Sequence, residues 1–327
     1  MGIFKQTRRL FMSISEVRAL RQKIKSNIQK VIIGKDDVID QLIVGILCDG
    51  HVLLEDVPGM GKTVLAKALS RSMNAEFSRI QFTPDLMPSD LTGINYYNQK
   101  EGEFRFKKGP LMNQIILADE INRATPRTQS SLLEAMAERQ ITVDGETHKL
   151  KSPFFVIATQ NPVETKGTFP LPEAQLDRFF MQLSMGYPSL VEEMEILKRF
   201  KAKNPMETLE AVVTNDELES AKQIFDTVNI TEELIEYMIL IVQATREHSE
   251  IELGISPRGT MALFKAVQAA AALEGRDFVM PDDIKRMAVP VLSHRLILNS
   301  NAIVTGRKAD EIIRHILKEA PVPTEKM

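Results

Sequence analysis

The chain of 327 residues contains no tryptophan, only four tyrosines and a single cysteine, Cys48. One thiol excludes an internal disulfide and any cysteine-based metal cluster, so a reducing compartment, the cytoplasm, is the expected setting. The five histidines, at positions 51, 148, 248, 294 and 315, lack ligand spacing such as His-x-x-x-His and read as surface or packing residues. No segment offers the ~18 uninterrupted apolar residues that a membrane span requires. Excess charge is also scarce: a net charge of -3 argues against a nucleic-acid partner, since affinity for a phosphate backbone comes from concentrated Lys and Arg. Thr7 to Phe11 holds the arginine pair of an export signal without the apolar stretch and cleavage site that must follow it, so residues 1–12 read as a flexible basic leader.

What is present is a strand, loop and helix pattern from His51 to Leu69. The apolar run Val52-Leu53-Leu54 is broken by Pro58, Gly59 and Gly61, and Lys62-Thr63 then open a helical pattern. A loop of this kind turns backbone N–H groups inward at a helix N-terminus and forms a positive cradle for phosphate oxygens. The loop Pro58, Gly59, Met60, Gly61, Lys62, Thr63 and Val64 is therefore the candidate nucleotide site. Lys62 is placed to reach the β and γ phosphates, and the Thr63 hydroxyl to hold Mg²⁺. The general pattern G-x-x-x-x-G-K-[ST] wants glycine at position 56, where this chain has Asp56. Its carboxylate is expected to turn outward to solvent or to cap a backbone N–H, because facing the phosphates would work against binding.

Around that loop the chain divides in two. Ser13 and Glu16 form a capping box ahead of a helix, and a second helix runs from Asp36 to Asp49. The apolar Ile32-Ile33-Gly34 junction between them is either a helix stop or a flank for an adenine ring, which makes Ile33 and Gly34 candidate contacts. Glu76 to Phe82, Ile115 to Ala118, Phe154 to Ala158 and Phe180 to Met185 read as further strands. Strands alternating with helices predict a parallel α/β sheet with ligands at the carboxyl ends of its strands. Two β-hairpins interrupt the alternation, Ile94 to Lys107 and Ile141 to Leu150, the latter turning at Asp144-Gly145. From Tyr187 onward only helical patterns are evident. The domains expected are thus an α/β core over 13–186, with helices on both faces of its sheet, and a smaller all-α domain over 187–327.

Five residues carry the remaining candidate chemistry. Asp119-Glu120 closes a buried strand, which suits Asp119 to hold Mg²⁺ and Glu120 to deprotonate an attacking water. Asn161 follows the next strand and is suited to position that water. Arg178 reads either as an intrahelical partner of Glu173 or Asp177, or as a finger completing a neighbour's site. Arg258 lies in the first helical turn after the N-cap Ser256 and Pro257, where the macrodipole disfavours a cation by ~0.3–1 kcal/mol. A phosphate presented from the other domain, or a surface carboxylate, would offset that cost.

Taken together, Glu55 to Thr63, Arg79 to Gly93, Leu117 to Ala124, Ala158 to Pro162, Glu173 to Phe179 and Ser256 to Arg258 resemble the MoxR-type AAA+ ATPases, over nearly the whole chain from about residue 13. The resemblance implies an α/β P-loop core with a helical lid, ATP and Mg²⁺ as ligands, and assembly into a ring, commonly a hexamer, with ATP between subunits. It assigns Lys62 and Thr63 to Walker A, Asp119 and Glu120 to Walker B, Asn161 to sensor 1, Arg178 to the finger and Arg258 to sensor 2. It implies chaperone-like remodelling of a protein client, often with a von Willebrand factor A domain partner. A magnesium-chelatase-like motor subunit is the alternative. A nucleic-acid motor would need a basic hairpin tip, and here the tip is Asp144-Gly145-Glu146.

Overall fold

The computed structural model describes residues 12–161, 167–200 and 205–323. The leader up to residue 11, Pro162 and the last four residues lie outside the described residues. Helix α1 (Ile14–Gln29) opens with the expected capping box, the Ser13 side chain accepting from the Glu16 N–H, and α2 (Asp36–Leu47) follows. Strand β1 (Val52–Glu55) leads through the phosphate loop into α3 (Lys62–Ser72), and β2 (Phe77–Gln81) into the short α4 (Pro88–Thr92). The first hairpin is β3 (Gly93–Asn98) with β4 (Glu103–Lys108). Strand β5 (Ile115–Asp119) and α5 (Pro126–Glu138) precede the second, β6 (Gln140–Val143) with β7 (Glu146–Lys149). Asp144 and Gly145 both have positive φ (49° and 86°), as a tight two-residue hairpin turn requires. Strand β8 (Phe155–Gln160), α6 (Glu173–Leu176) and β9 (Met181–Leu183) complete the α/β part.

The five long-range strands form one parallel sheet in the order β2-β5-β8-β1-β9. Register pairs Gln81 with Asp119 and Glu55 with Gln160, which gathers the polar strand ends on one edge. Period-two alternation sends the two faces to different cores. Val52, Leu54, Leu117 and Ile157 join one cluster, while Leu53, Ile116, Val156 and Ala158 join a second with α5.

Past residue 187 come α7 (Leu190–Phe200), α8 (Asn215–Phe225), α9 (Glu232–Glu247), β10 (Ile251–Leu253), α10 (Pro257–Leu273), α11 (Pro281–Leu292), β11 (Ile297–Leu298), α12 (Ser300–Val304) and α13 (Ala309–Glu319). The expectation of a purely helical region needs one correction. Strands β10 and β11 pair antiparallel, and pairs of two or three residues are too short to leave a period-two signal. The hydrophobic core also does not divide where the composition changes. The buried, alanine-rich α10 packs on α1 and α2, and one cluster runs from α1 through the sheet face into α8, α9, α11 and α13. No helix among the described residues is long and apolar enough to cross a membrane.

Candidate active site

The phosphate loop owes its path to two glycines. Gly59 (φ 88°) and Gly61 (φ 84°) both occupy the left-handed region, and a Cβ at either would meet open space, so conformation rather than crowding requires them. Gly61 hands over to α3, whose first residues are Lys62 and Thr63. Lys62 Nζ donates to the backbone oxygen of Asp56 at 2.8 Å. Burial lowers the Lys62 pKa, while the charges of Asp56, Asp119 and Glu120 work in the opposite direction, which places all three carboxylates within electrostatic reach of the ammonium.

Beside this loop lies a cleft of about 560 Å³ lined by Ile32, Ile33, Met60, Val64, Met185 and Ile196, with Gly59 and Gly61 at its wall. Ile33 thus lines the same cleft as the loop, and α7 closes the far side through Ile196 and Arg199. The cleft is apolar at one end and bounded by backbone N–H donors at the other, a division suited to a purine base and a phosphate chain.

Asp119 and Glu120 stand at the end of β5, held by residues to which the sequence pattern assigns no role. Arg79, one strand over, contacts Asp119 Oδ2 at 2.7 Å. The Thr159 hydroxyl donates to Asp119 Oδ1 at 2.6 Å and accepts from the Glu120 N–H at 2.8 Å, so a single buried side chain locks both acids. Glu120 itself has φ 57°, ψ 52°, a left-handed conformation that a non-glycine residue holds only when its surroundings impose it. Its Oε2 accepts from Gln81 Nε2 at 2.7 Å and pairs with Arg123 at 3.0 Å. Arg123 is therefore committed to the adjoining acid of its own chain. Asn161 directly follows Gln160, the register partner of Glu55, and so sits at the sheet edge beside the loop.

The hard oxygen donors Thr63 and Asp119, at a helix start and an adjacent strand end, fit Mg²⁺. That ion takes few protein ligands and completes its shell with water and phosphate.

Asp56 takes one of its two expected orientations. Its carboxylate is buried (7 % exposed) rather than turned to solvent. It accepts from the Ser184 hydroxyl at 2.7 Å, the Met185 N–H at 2.8 Å and the Gly186 N–H at 3.1 Å. The second alternative, capping of backbone N–H groups, is the one adopted, and the donors come from the segment that leaves β9 toward α7.

The two arginines stand elsewhere. Neither Arg178 nor Arg258 lines the cleft at the loop. Arg178 is exposed and donates to the Leu133 carbonyl at 3.2 Å, not to Glu173 or Asp177. Arg258 follows the N-cap Ser256, whose Oγ accepts from the Gly259 N–H, and its nearest acid is Asp177 at 3.7 Å. The Asp177 carboxylate is thus placed to offset the position of Arg258.

Among the histidines that the sequence assigns to surface or packing, His51 is one of structural consequence. His51 Nδ1 accepts from the Val156 N–H at 3.0 Å, which leaves Nε2–H to donate to Met136 O at 3.1 Å. Burial, with help from Arg139, holds its pKa down to about 3.

Residues 51–181 match the family described as ATPases associated with various cellular activities, and residues 243–316 match the AAA lid domain. The chain is 49% identical over 311 residues to the uncharacterized protein YeaC of Bacillus subtilis (strain 168), covering 95% of this chain and 97% of that one. It is 37% identical over 318 residues to chaperone MoxR1 of Mycobacterium tuberculosis, covering 94% and 84%. A crystal structure of a protein from Cytophaga hutchinsonii superposes with a TM-score of 0.88 at 41% identity, covering 95% of this chain and 97% of that one.

Proposed function

This chain belongs to the MoxR-type AAA+ ATPases, and from that premise we propose that it couples Mg²⁺-dependent ATP hydrolysis to chaperone-like remodelling of a protein client, as a cytoplasmic ring. The observation that carries the reading is the convergence of Lys62 with Asp119 and Glu120 at the ends of β1 and β5, the parallel strands on either side of β8, beside a cleft sized for a nucleotide. The loop N–H groups and Lys62 bind the phosphates. Ile33, Met60 and Val64 flank the base. Thr63 and Asp119 hold Mg²⁺, which supplies charge neutralisation on the phosphates. Glu120 takes the proton of the attacking water once its carboxylate exchanges Arg123 and Gln81 for that water, and Asn161 orients it. Arg178 and Arg258, standing away from their own chain's cleft, act on the γ-phosphate held by an adjoining subunit, which is the reason for a ring, with a hexamer as the expected closure.

Remodelling of a client is supported by how the hairpins are mounted. Hairpin β3–β4 leads into β5, which ends at Asp119, and β6–β7 leads into β8, which ends ahead of Asn161. The Phe106 and His148 rings stack at 4.4 Å and 5°, and Asn95 donates to Asp144 at 2.9 Å, so the two hairpins are tied to each other. Tyr97 and Phe104 form an exposed edge-to-face pair on the first hairpin. A displacement at the nucleotide therefore reaches a protruding aromatic surface suited to apolar segments of a polypeptide, including a partner with a von Willebrand factor A domain.

The test uses Glu120→Gln, which keeps shape and removes the base. The variant should bind ATP as the parent does, hydrolyse it at least about a hundredfold more slowly, and retain client in an ATP-dependent pull-down. Unchanged turnover would remove Glu120 from the chemistry. Stimulation of hydrolysis by DNA would favour a nucleic-acid motor over a protein remodeller.

A further inference from the structure

The edge that carries Arg178 and Arg258 is organised by a carboxylate of the Glu173 to Phe179 run that the nucleotide chemistry leaves without a role. Asp177 caps the C-terminal end of α6, immediately before Arg178. Its Oδ1 accepts from Arg295 Nε at 2.8 Å, and its Oδ2 lies 3.7 Å from Arg258. Arg295, from the turn after α11, is 3 % exposed at its side chain. All five of its N–H groups find acceptors: the Asp177 carboxylate, the Asp177 carbonyl at 3.4 Å, the Phe179 carbonyl at 2.7 Å, the Phe180 carbonyl at 3.2 Å and the Val291 carbonyl. A guanidinium with every donor used cannot shift without losing hydrogen bonds. Asp177 is thereby gripped through both its side chain and its main chain.

Arg258 is in the opposite condition. Its side chain is 63 % exposed, it begins at a helix N-terminus that repels a cation, and among the described residues Asp177 is its sole ion-pair partner. Left alone, so long a side chain would spread over many rotamers. The two contacts of Asp177 are unequal, short to Arg295 and long to Arg258, so the carboxylate retains Arg258 at this edge without sequestering it.

We propose that Asp177, fixed by the buried Arg295, is a positioning residue that holds the Arg258 guanidinium beside Arg178, so that the two arginines approach the nucleotide of an adjoining copy as one unit. This inference rests on the reading that both arginines act across a subunit boundary. Asp177 touches no reacting atom; it acts through Arg258. It also links the α11 end of the helical region to the arginines, so a shift of those helices against the sheet is felt at the neighbour's site.

The experiment compares Asp177→Asn, Arg258→Ala and the double variant in the assembled, full-length protein. Asparagine keeps an acceptor for Arg295 and removes the charge that attracts Arg258. The single variant should bind ATP within about twofold of the parent and lose about tenfold in kcat, and the double variant should be no slower than Arg258→Ala alone, because both changes break one contact. Asp177→Ser, which leaves Arg295 its four carbonyl acceptors, repeats the comparison in case the asparagine variant does not fold. Parental kcat in the Asp177 variant, or losses that multiply in the double variant, would overturn the proposal. Mixed rings separate it from its premise. Glu120→Gln subunits carry intact arginines and should restore hydrolysis to Asp177→Asn subunits, as they should to Arg178→Ala subunits. Recovery with Arg178→Ala alone defeats the role of Asp177, whereas recovery with neither defeats action across the boundary and the proposal with it.

Discussion

Replacing Asp56 by glycine restores the residue that a phosphate loop ordinarily has at this position, and it should destabilise the protein without tightening nucleotide binding much. The carboxylate is buried and accepts from Ser184, Met185 and Gly186. Met185 is itself buried (5 % exposed), so its N–H would be orphaned at a cost of about 1–3 kcal/mol, whereas Ser184 and Gly186 are exposed and can turn to water. Adding ~0.5–1 kcal/mol for each of those two exchanged bonds gives a loss of about 3 kcal/mol. Two effects on ATP oppose each other. Were the carboxylate to face the phosphates from ~7 Å, an effective dielectric of ~20 would give a repulsion of at most ~2 kcal/mol per unit of charge, and its hydrogen bonds on the side of β9 reduce this. The same charge supports the Lys62 ammonium, and that support is lost with it. The Lys62 hydrogen bond survives, since it goes to the backbone oxygen of residue 56. The expected change in affinity is therefore under about tenfold, or ~1.4 kcal/mol. Urea denaturation followed by circular dichroism reads the stability, and calorimetric titration with ATP and Mg²⁺ reads the affinity. A much larger gain in affinity with no loss of stability would refute the reasoning, since it would mean that the carboxylate opposes the phosphates and contributes nothing to the β9 exit.

Lys62→Ala should raise the dissociation constant for ATP at least about tenfold in the same titration, because it removes a phosphate contact from ground and transition states alike; unchanged binding would place the phosphates elsewhere. Thr159→Val deprives Asp119 of a donor and leaves the Glu120 N–H unpaired in a half-buried position, so about 1 kcal/mol of stability and about tenfold of kcat should be lost, with KM little altered. A valine variant with parental kcat would show that Glu120 keeps its backbone conformation unaided. For His51 the sign follows from its depressed pKa. The folded protein holds the ring neutral down to about pH 3 while the unfolded chain protonates near pH 6.5, so stability is lost as pH falls through that window, by ~2 kcal/mol at pH 5. His51→Gln should lower stability at pH 7 yet flatten the slope between pH 7 and 5 by that amount, and an unaltered slope would assign the acid sensitivity to other groups.

Short-range chemistry was written in the chain itself. Gly59 and Gly61 before Lys62-Thr63, Asp119-Glu120 after an apolar run, the Asp144-Gly145 turn and the Ser256-Pro257 helix start each depend on neighbours a few residues away, so the sequence by itself determined the phosphate loop, the acidic pair, both hairpins and the parallel α/β class. Tertiary structure decided the rest. Arg79, Gln81 and Thr159 act on Asp119 and Glu120 from ~40 positions away in the chain, through the lateral order and register of β2, β5 and β8, which no local pattern encodes. Asp56 turned toward Ser184 to Gly186 because β9 lies beside β1, and Arg258 met Asp177 because the helical region shares its core with α1 and α2 in place of standing apart. Burial then settled which of the available partners each charge kept, since a carboxylate or guanidinium removed from water must take the donors or acceptors that the fold brings to it.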